Sequence, residues 1–257
     1  AYDRRWQADG GETRPSGGIY RLDLGEIPGD PEAGPDGDWA AGRPVAVANL
    51  TAGFAATAPF YPHGIDLLPA TEGGAMLAAI NRRGEARAGL AADTTIELFA
   101  LDGAGLAHRR TIADPAFCRA NDLLMLGPDR LLITVDQASC DAWLAWLERI
   151  SAYPGGHVLL WQAGEAHRVA GAIAFANGIA RAGERVAVAA TRGHRLQIYA
   201  LADLVGAADT GRQARPLRSV ALPGGPDNLA RGSDGRLHAA LLPDLFRHFL
   251  MQQGLAD

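Results

Sequence analysis

The feature that most constrains this chain is a short unit that recurs four times. The copies are His63-Gly64-Ile65-Asp66-Leu67-Leu68, Asn121-Asp122-Leu123-Leu124-Met125-Leu126, Asn177-Gly178-Ile179-Ala180 and Asp227-Asn228-Leu229-Ala230. Each opens on a polar residue, has an apolar one two positions later, and passes through a tight turn into a short apolar strand. Their starts lie 58, 56 and 50 residues apart. A second signature interleaves with the first: residues 19–24, 96–101, 158–161 and 196–201 are apolar or alternating runs with an aromatic in them, as in outer sheet strands. Two strand types repeating at about 50 residues, with Gly and Pro turns between them, predict β-propeller blades. Period-3.6 patterning is nearly absent, which disfavours a helical solenoid.

Two segments break the cadence. Residues 26–44, rich in Gly, Pro and Asp, read as a long surface loop. Residues 139–150 read as the one short helical insertion, with Trp143, Trp146, Leu147 and Ile150 on one face and Ser139 or Asp141 as the cap. That helix is expected either to pack on the propeller or to act as a lid over a site.

With 257 residues, the chain suits a single repetitive domain spanning 1–257. It carries 24 basic against 29 acidic side chains, a balance that argues against nucleic acid or anionic membrane as a main partner. All the basic residues are Arg, so Schiff-base chemistry, a P-loop lysine and a Ser-Lys dyad are excluded. No apolar run approaches the roughly 18 residues of a transmembrane segment. G-x-S-x-G, H-E-x-x-H and a dinucleotide fingerprint are all missing from the sequence. For Cys118 and Cys140, two buried thiols are the expectation and a single bridge the alternative.

In a propeller, the innermost strand of each blade lines the axis. The four unit starts therefore aim His63, Asn121, Asn177 and the pair Asp227-Asn228 at a common centre. Amide oxygens with a carboxylate form a hard-oxygen donor set, which suits Ca²⁺ better than Zn²⁺ or Mg²⁺. Taken singly, Asn and Asp are ordinary turn residues; as a periodic set of four they predict a site.

The runs Pro62-His63-Gly64-Ile65, Asn121-Asp122-Leu123, Phe175-Ala176-Asn177-Gly178-Ile179 and Asp227-Asn228-Leu229 resemble the motifs of the paraoxonase/arylesterase family, in the same order and at similar spacing. The likeness covers roughly residues 15–245 and extends to the related gluconolactonase-like propellers. It implies an all-β, six-bladed propeller, two calcium ions in its tunnel, and hydrolysis of small lactones and aryl esters. By that resemblance Asn121, Asn177, Asp227 and Asn228 hold the catalytic calcium. Asp122 and the carbonyl of Ile65 hold a structural one. His63 acts on water, with Asp136 an acidic residue near the site and a competing base. Where well-known members carry a second histidine, this chain has Arg82. The family's acidic pair and closing strands would lie outside residues 1–257, so a fragment is expected. The alternatives are a sugar-lactone hydrolase, with Arg82 and Arg119 as hydroxyl donors, and a non-catalytic propeller stabilised by calcium.

Overall fold

The computed structural model describes residues 16–22, 47–55, 57–71, 74–83, 93–102 and 105–252. Its apolar runs fold as antiparallel meanders, because each tight turn returns the chain beside the strand it has just made. One four-stranded blade holds β3 (Pro62–Thr71), β4 (Gly74–Arg82), β5 (Thr94–Asp102) and β6 (Gly105–Ala113). The next holds β7 (Ala120–Gly127), β8 (Arg130–Val135), β9 (Gly156–Gln162) and β10 (Glu165–Ile173). A third holds β11 (Ala176–Ala182), β12 (Arg185–Ala190), β13 (Arg195–Ala200) and β14 (Arg218–Ala221). Two two-stranded sheets flank these blades, β1 (Tyr20–Leu22) with β2 (Val47–Asn49), and β15 (Gly225–Arg231) with β16 (Leu237–Leu242). The β9–β10 turn shows the local chemistry: Ala163 and Gly164 both have positive φ, 53° and 86°, as a two-residue hairpin demands.

The core lies between the blades. Ile80, Ile96 and Leu98 of the first blade pack against Leu123, Met125, Leu131 and Ile133 of the second. Leu132, Val158 and Leu160 on the other face of the second blade pack against Ile179, Val186 and Val188 of the third. A middle strand such as β8 is thus covered on both faces, which is why Leu131-Leu132-Ile133 reads as an unbroken apolar run and not as an alternation. The innermost strands β3, β7, β11 and β15 stand side by side in chain order.

Several expectations change. The second signature marks third strands (β5, β9 and β13), each covered by a more polar fourth strand that carries no comparable run. Residues 26–44 lie outside the described residues. Helix is not confined to one insertion: α1 (Ala52–Ala55), α2 (Ala142–Ser151), α3 (Leu201–Thr210) and α4 (Leu245–Gln252) are all present. None of the described helices is long and apolar enough to cross a membrane.

The predicted helix is α2, and Asp141 caps it by accepting hydrogen bonds from the Trp143 and Leu144 amides, both at 2.9 Å. Its large apolar side chains do not pack on the propeller. Trp143 and Trp146 stack on each other with ring centroids 5.0 Å apart and stay exposed, as do Leu147 and Ile150. Among the described side chains of the helix, only Ala145 is buried. The helix is tied down by polar bonds instead: Glu148 accepts from the Ala138 and Ser139 amides at 2.8 and 3.1 Å. Two buried thiols were expected, yet Cys118 and Cys140 form a disulfide. The β7–β8 hairpin brings the two ends of their 22-residue separation together, a proximity invisible in linear spacing.

Candidate functional site

All four motif pairs sit on a β-bulge, at the same place in each inner strand. In β3, Pro62 pairs with Asn81 and Ile65 with Ala79, so His63 and Gly64 both oppose Ile80. In β7, Asn121 and Asp122 oppose Thr134, between the pairs Ala120–Val135 and Leu123–Ile133. In β11, Asn177 and Gly178 oppose Ala189, and in β15, Asp227 and Asn228 oppose Ala240. An extra residue in one strand bends it and re-aims its side chains. The recurring polar residue is therefore the residue that leaves the ladder. Thr134 closes one bulge: its hydroxyl accepts from the Asp122 amide at 3.0 Å and donates to the Asp122 carbonyl at 3.2 Å.

Adjacent bulges touch. A Cβ on Gly64 would lie 2.6 Å from Asp122 Cα and 2.7 Å from the Asn121 carbonyl oxygen. A Cβ on Gly178 would lie 2.6 Å from both the Asp227 oxygen and the Leu229 nitrogen. The second position of the motif therefore alternates along the chain: Gly64, Asp122, Gly178, Asn228. Each glycine gives its neighbour room.

The side chains then connect across blades. Asn177 Nδ2 donates to Asp227 Oδ1, which joins the third blade to β15. It also donates to Thr191 Oγ1 at 3.1 Å. Asn121 Nδ2 donates to Asp136 Oδ2 at 3.4 Å. The Asp122 carboxylate accepts from its own blade at Leu123 (2.9 Å) and from the next at Ile179 (3.0 Å). Burial pushes the Asp122 carboxyl up to about 7, with the nearby charges of Asp66 and Asp227 adding to the effect. Asp66, unremarked in the sequence, accepts from the Met125 amide at 2.7 Å, and its own carboxyl is raised by burial.

Arg82 is committed to structure. Its Nε and Nη2 donate to the Ala120 carbonyl at 3.0 and 2.6 Å, and its Nη2 lies 3.7 Å from Asp136 Oδ2. Asn121, Asn177 and Asp136 are buried, Asp227 is half-buried, and His63, Asn228 and the Ile65 side chain are exposed. Among the described residues, no three His, Cys, Asp or Glu side chains are placed to hold a metal on their own. A cation here depends on amide and carbonyl oxygens.

Stacked four-stranded antiparallel blades, with bulged polar residues on the inner strands, define a β-propeller. The chain belongs to the Arylesterase family, whose sequence profile matches residues 13–253. No curated protein sequence matches it. Among solved structures it is similar to the periplasmic gluconolactonase PpgL of Pseudomonas aeruginosa, at 13% identity over 90% of this chain and 59% of that one, with a TM-score of 0.46. It is also similar to the calcium-binding protein regucalcin of Agrobacterium tumefaciens, at 16% identity over 79% and 57%, with a TM-score of 0.41. A luciferin-regenerating enzyme matches at 16% identity over 72% and 57%, with a TM-score of 0.45. The chain thus spans 57 to 59% of the length of these structures.

Proposed function

We propose that this chain is a calcium-dependent hydrolase of carboxylic esters, of the lactonase or arylesterase type. The observation that carries the reading is the set of four aligned bulges, with Asn177 and Asp227 in contact across two sheets. Family membership supports the ester class.

The residues present fit calcium. The Nδ2 groups of Asn121 and Asn177 donate to Asp136, and to Thr191 and Asp227, while their Oδ1 atoms receive no hydrogen bond from any described residue. That orientation leaves the amide oxygens as donors for a hard cation. The Asp122 carboxylate feels the like charges of Asp66 and Asp227, both half-buried, which a divalent cation relieves. Asn121, Asn177, Asp227 and Asn228 would hold the catalytic ion. Asp122 and the Ile65 carbonyl would hold a second, where the Gly64 backbone packs on Asp122.

Calcium, when bound, supplies positive charge where an ester or lactone carbonyl develops negative charge. The chain's own residues do the rest. His63, exposed on its bulge, takes the proton of the attacking water, a role typically worth about 10² to 10⁴-fold. Asp136, though near the site, is an acceptor for Asn121 and lies beside Arg82, so it orients and does not act as base. Arg82 fixes the Ala120 carbonyl and with it the Asn121–Asp122 bulge, which leaves it poorly placed to recognise sugar hydroxyls.

The test is hydrolysis of phenyl acetate, aliphatic lactones and sugar lactones with calcium and with chelator, in the parent and in Asn177→Ala and Asp227→Ala. Turnover is expected only with calcium, with both variants reduced at least a hundredfold. Undiminished turnover in chelator overturns the proposal. Sugar lactones alone as substrates would establish the gluconolactonase alternative. Calcium binding without turnover of any ester would establish the non-catalytic one.

A further inference from the structure

We infer that Thr191 is a positioning residue that sets which end of the Asn177 amide faces the metal; the inference rests on the calcium reading above. Thr191 is buried at the end of β12, one residue past Ala190, the partner of Ala176. Its amide donates to the Phe175 carbonyl at 3.1 Å, as those of Arg82 and Asp136 donate to Tyr61 and Arg119 at 3.1 and 3.0 Å. Arg82, Asp136 and Thr191 are therefore one structural position in three successive blades.

At that position Thr191 does two things. Its hydroxyl donates to the Pro226 carbonyl at 2.6 Å, the residue just before Asp227. A hydroxyl has one proton. With that proton given to Pro226, Oγ1 faces Asn177 only as an acceptor, and at 3.1 Å it accepts Nδ2. The two ends of an amide are nearly the same size, so sterics alone do not select between them. The spent hydroxyl and the Asp227 carboxylate do: each takes one Nδ2 proton, and together they turn Oδ1 the other way. Asp136 does the same for Asn121, as a carboxylate that can only accept. Through Pro226, Thr191 also anchors the strand that delivers Asp227. One side chain thus orders two of the proposed ligands from different sheets.

The test measures calcium affinity by titration calorimetry on the full chain, with the calcium-induced rise in Tm as a second readout. Thr191→Val keeps the shape and removes the hydroxyl; at least tenfold weaker binding is expected. Thr191→Ser keeps Oγ and should bind within about threefold of the parent. A carboxylate has equivalent oxygens and no end to choose, so in an Asn177→Asp background Thr191→Val should cost little calcium affinity, compared with Asn177→Asp alone. A merely structural threonine predicts the same loss in both backgrounds. If Thr191→Val does not fold, Thr191→Ala is read in the same way. Parent-like affinity in the valine or alanine variant, or equal weakening in the serine variant, overturns the inference and leaves the hydrolase reading standing. A parent chain that binds no calcium overturns both.

Discussion

Gly64 packs directly on Asp122, 58 positions further along the chain, with no space between them for a methyl group. The contact places two bulged inner strands against each other. Gly178 makes the matching contact with Asp227 and Leu229. Backbone atoms line both contacts, so relief cannot come from a rotamer change.

Gly64→Ala and Gly178→Ala should each destabilise the fold by about 1–3 kcal/mol, the cost of overpacking a well-packed region. They should also weaken calcium binding by displacing the adjacent bulge. Gly206 in α3 is the control. A Cβ there meets nothing within 4 Å, so Gly206→Ala should be neutral or stabilising by up to about 1 kcal/mol. Denaturant unfolding checks all three. Equal effects at Gly64 and Gly206 would remove the packing argument.

His157 makes the fold acid-sensitive. It lies buried at the start of β9, opposite Val135, and burial lowers its pKa to about 4, with Arg168 adding to the effect. The unfolded chain binds the proton near 6.5 and the folded chain near 4. His157 therefore contributes stability that is full above about pH 6.5 and is lost as the pH drops toward 4, on the order of 3 kcal/mol, while the raised Asp122 carboxyl works with the opposite slope in the same range. His157→Gln should make the profile between pH 6.5 and 4 less acid-sensitive than that of the parent. A slope unchanged between pH 6.5 and 4 in the variant would assign the acid sensitivity elsewhere.

The Cys118–Cys140 disulfide fastens the segment before Asn121 to the segment after Asp136. A closed loop of about this length is worth roughly 3 kcal/mol in the chain-entropy account. Cys140 is exposed, so a dithiol reductant should reach the bond. Reduction, or Cys118→Ala with Cys140→Ala, should lower the urea midpoint by a corresponding amount. A midpoint that does not move would mean that the hairpin and the Glu148 bonds to Ala138 and Ser139 suffice.

The blade repeat was legible because a strand covered on both faces reads as an apolar run, as Leu131–Ile133 and Val186–Ala189 do. The motif residues were legible because a polar residue kept at the head of each inner strand has no packing reason to be there. The outer strands and helices α1, α3 and α4 were not legible. Half-exposed elements such as β6 and β14 tolerate polar residues on both faces and leave no periodic trace.

The sequence alone determined the propeller blades and the register of their polar residues. Strand patterning and repeat spacing are local properties, and one turn suffices to convert them into structure. Tertiary structure decided how the site is built: the bulges, the glycine contacts, the disulfide and the role of Arg82. Thr191 shows why. It lies 14 residues after Asn177, Asp136 lies 15 after Asn121, and Arg82 lies 19 after His63. Hairpins of unequal length hide their equivalence, and only strand pairing across space brings the three to one position.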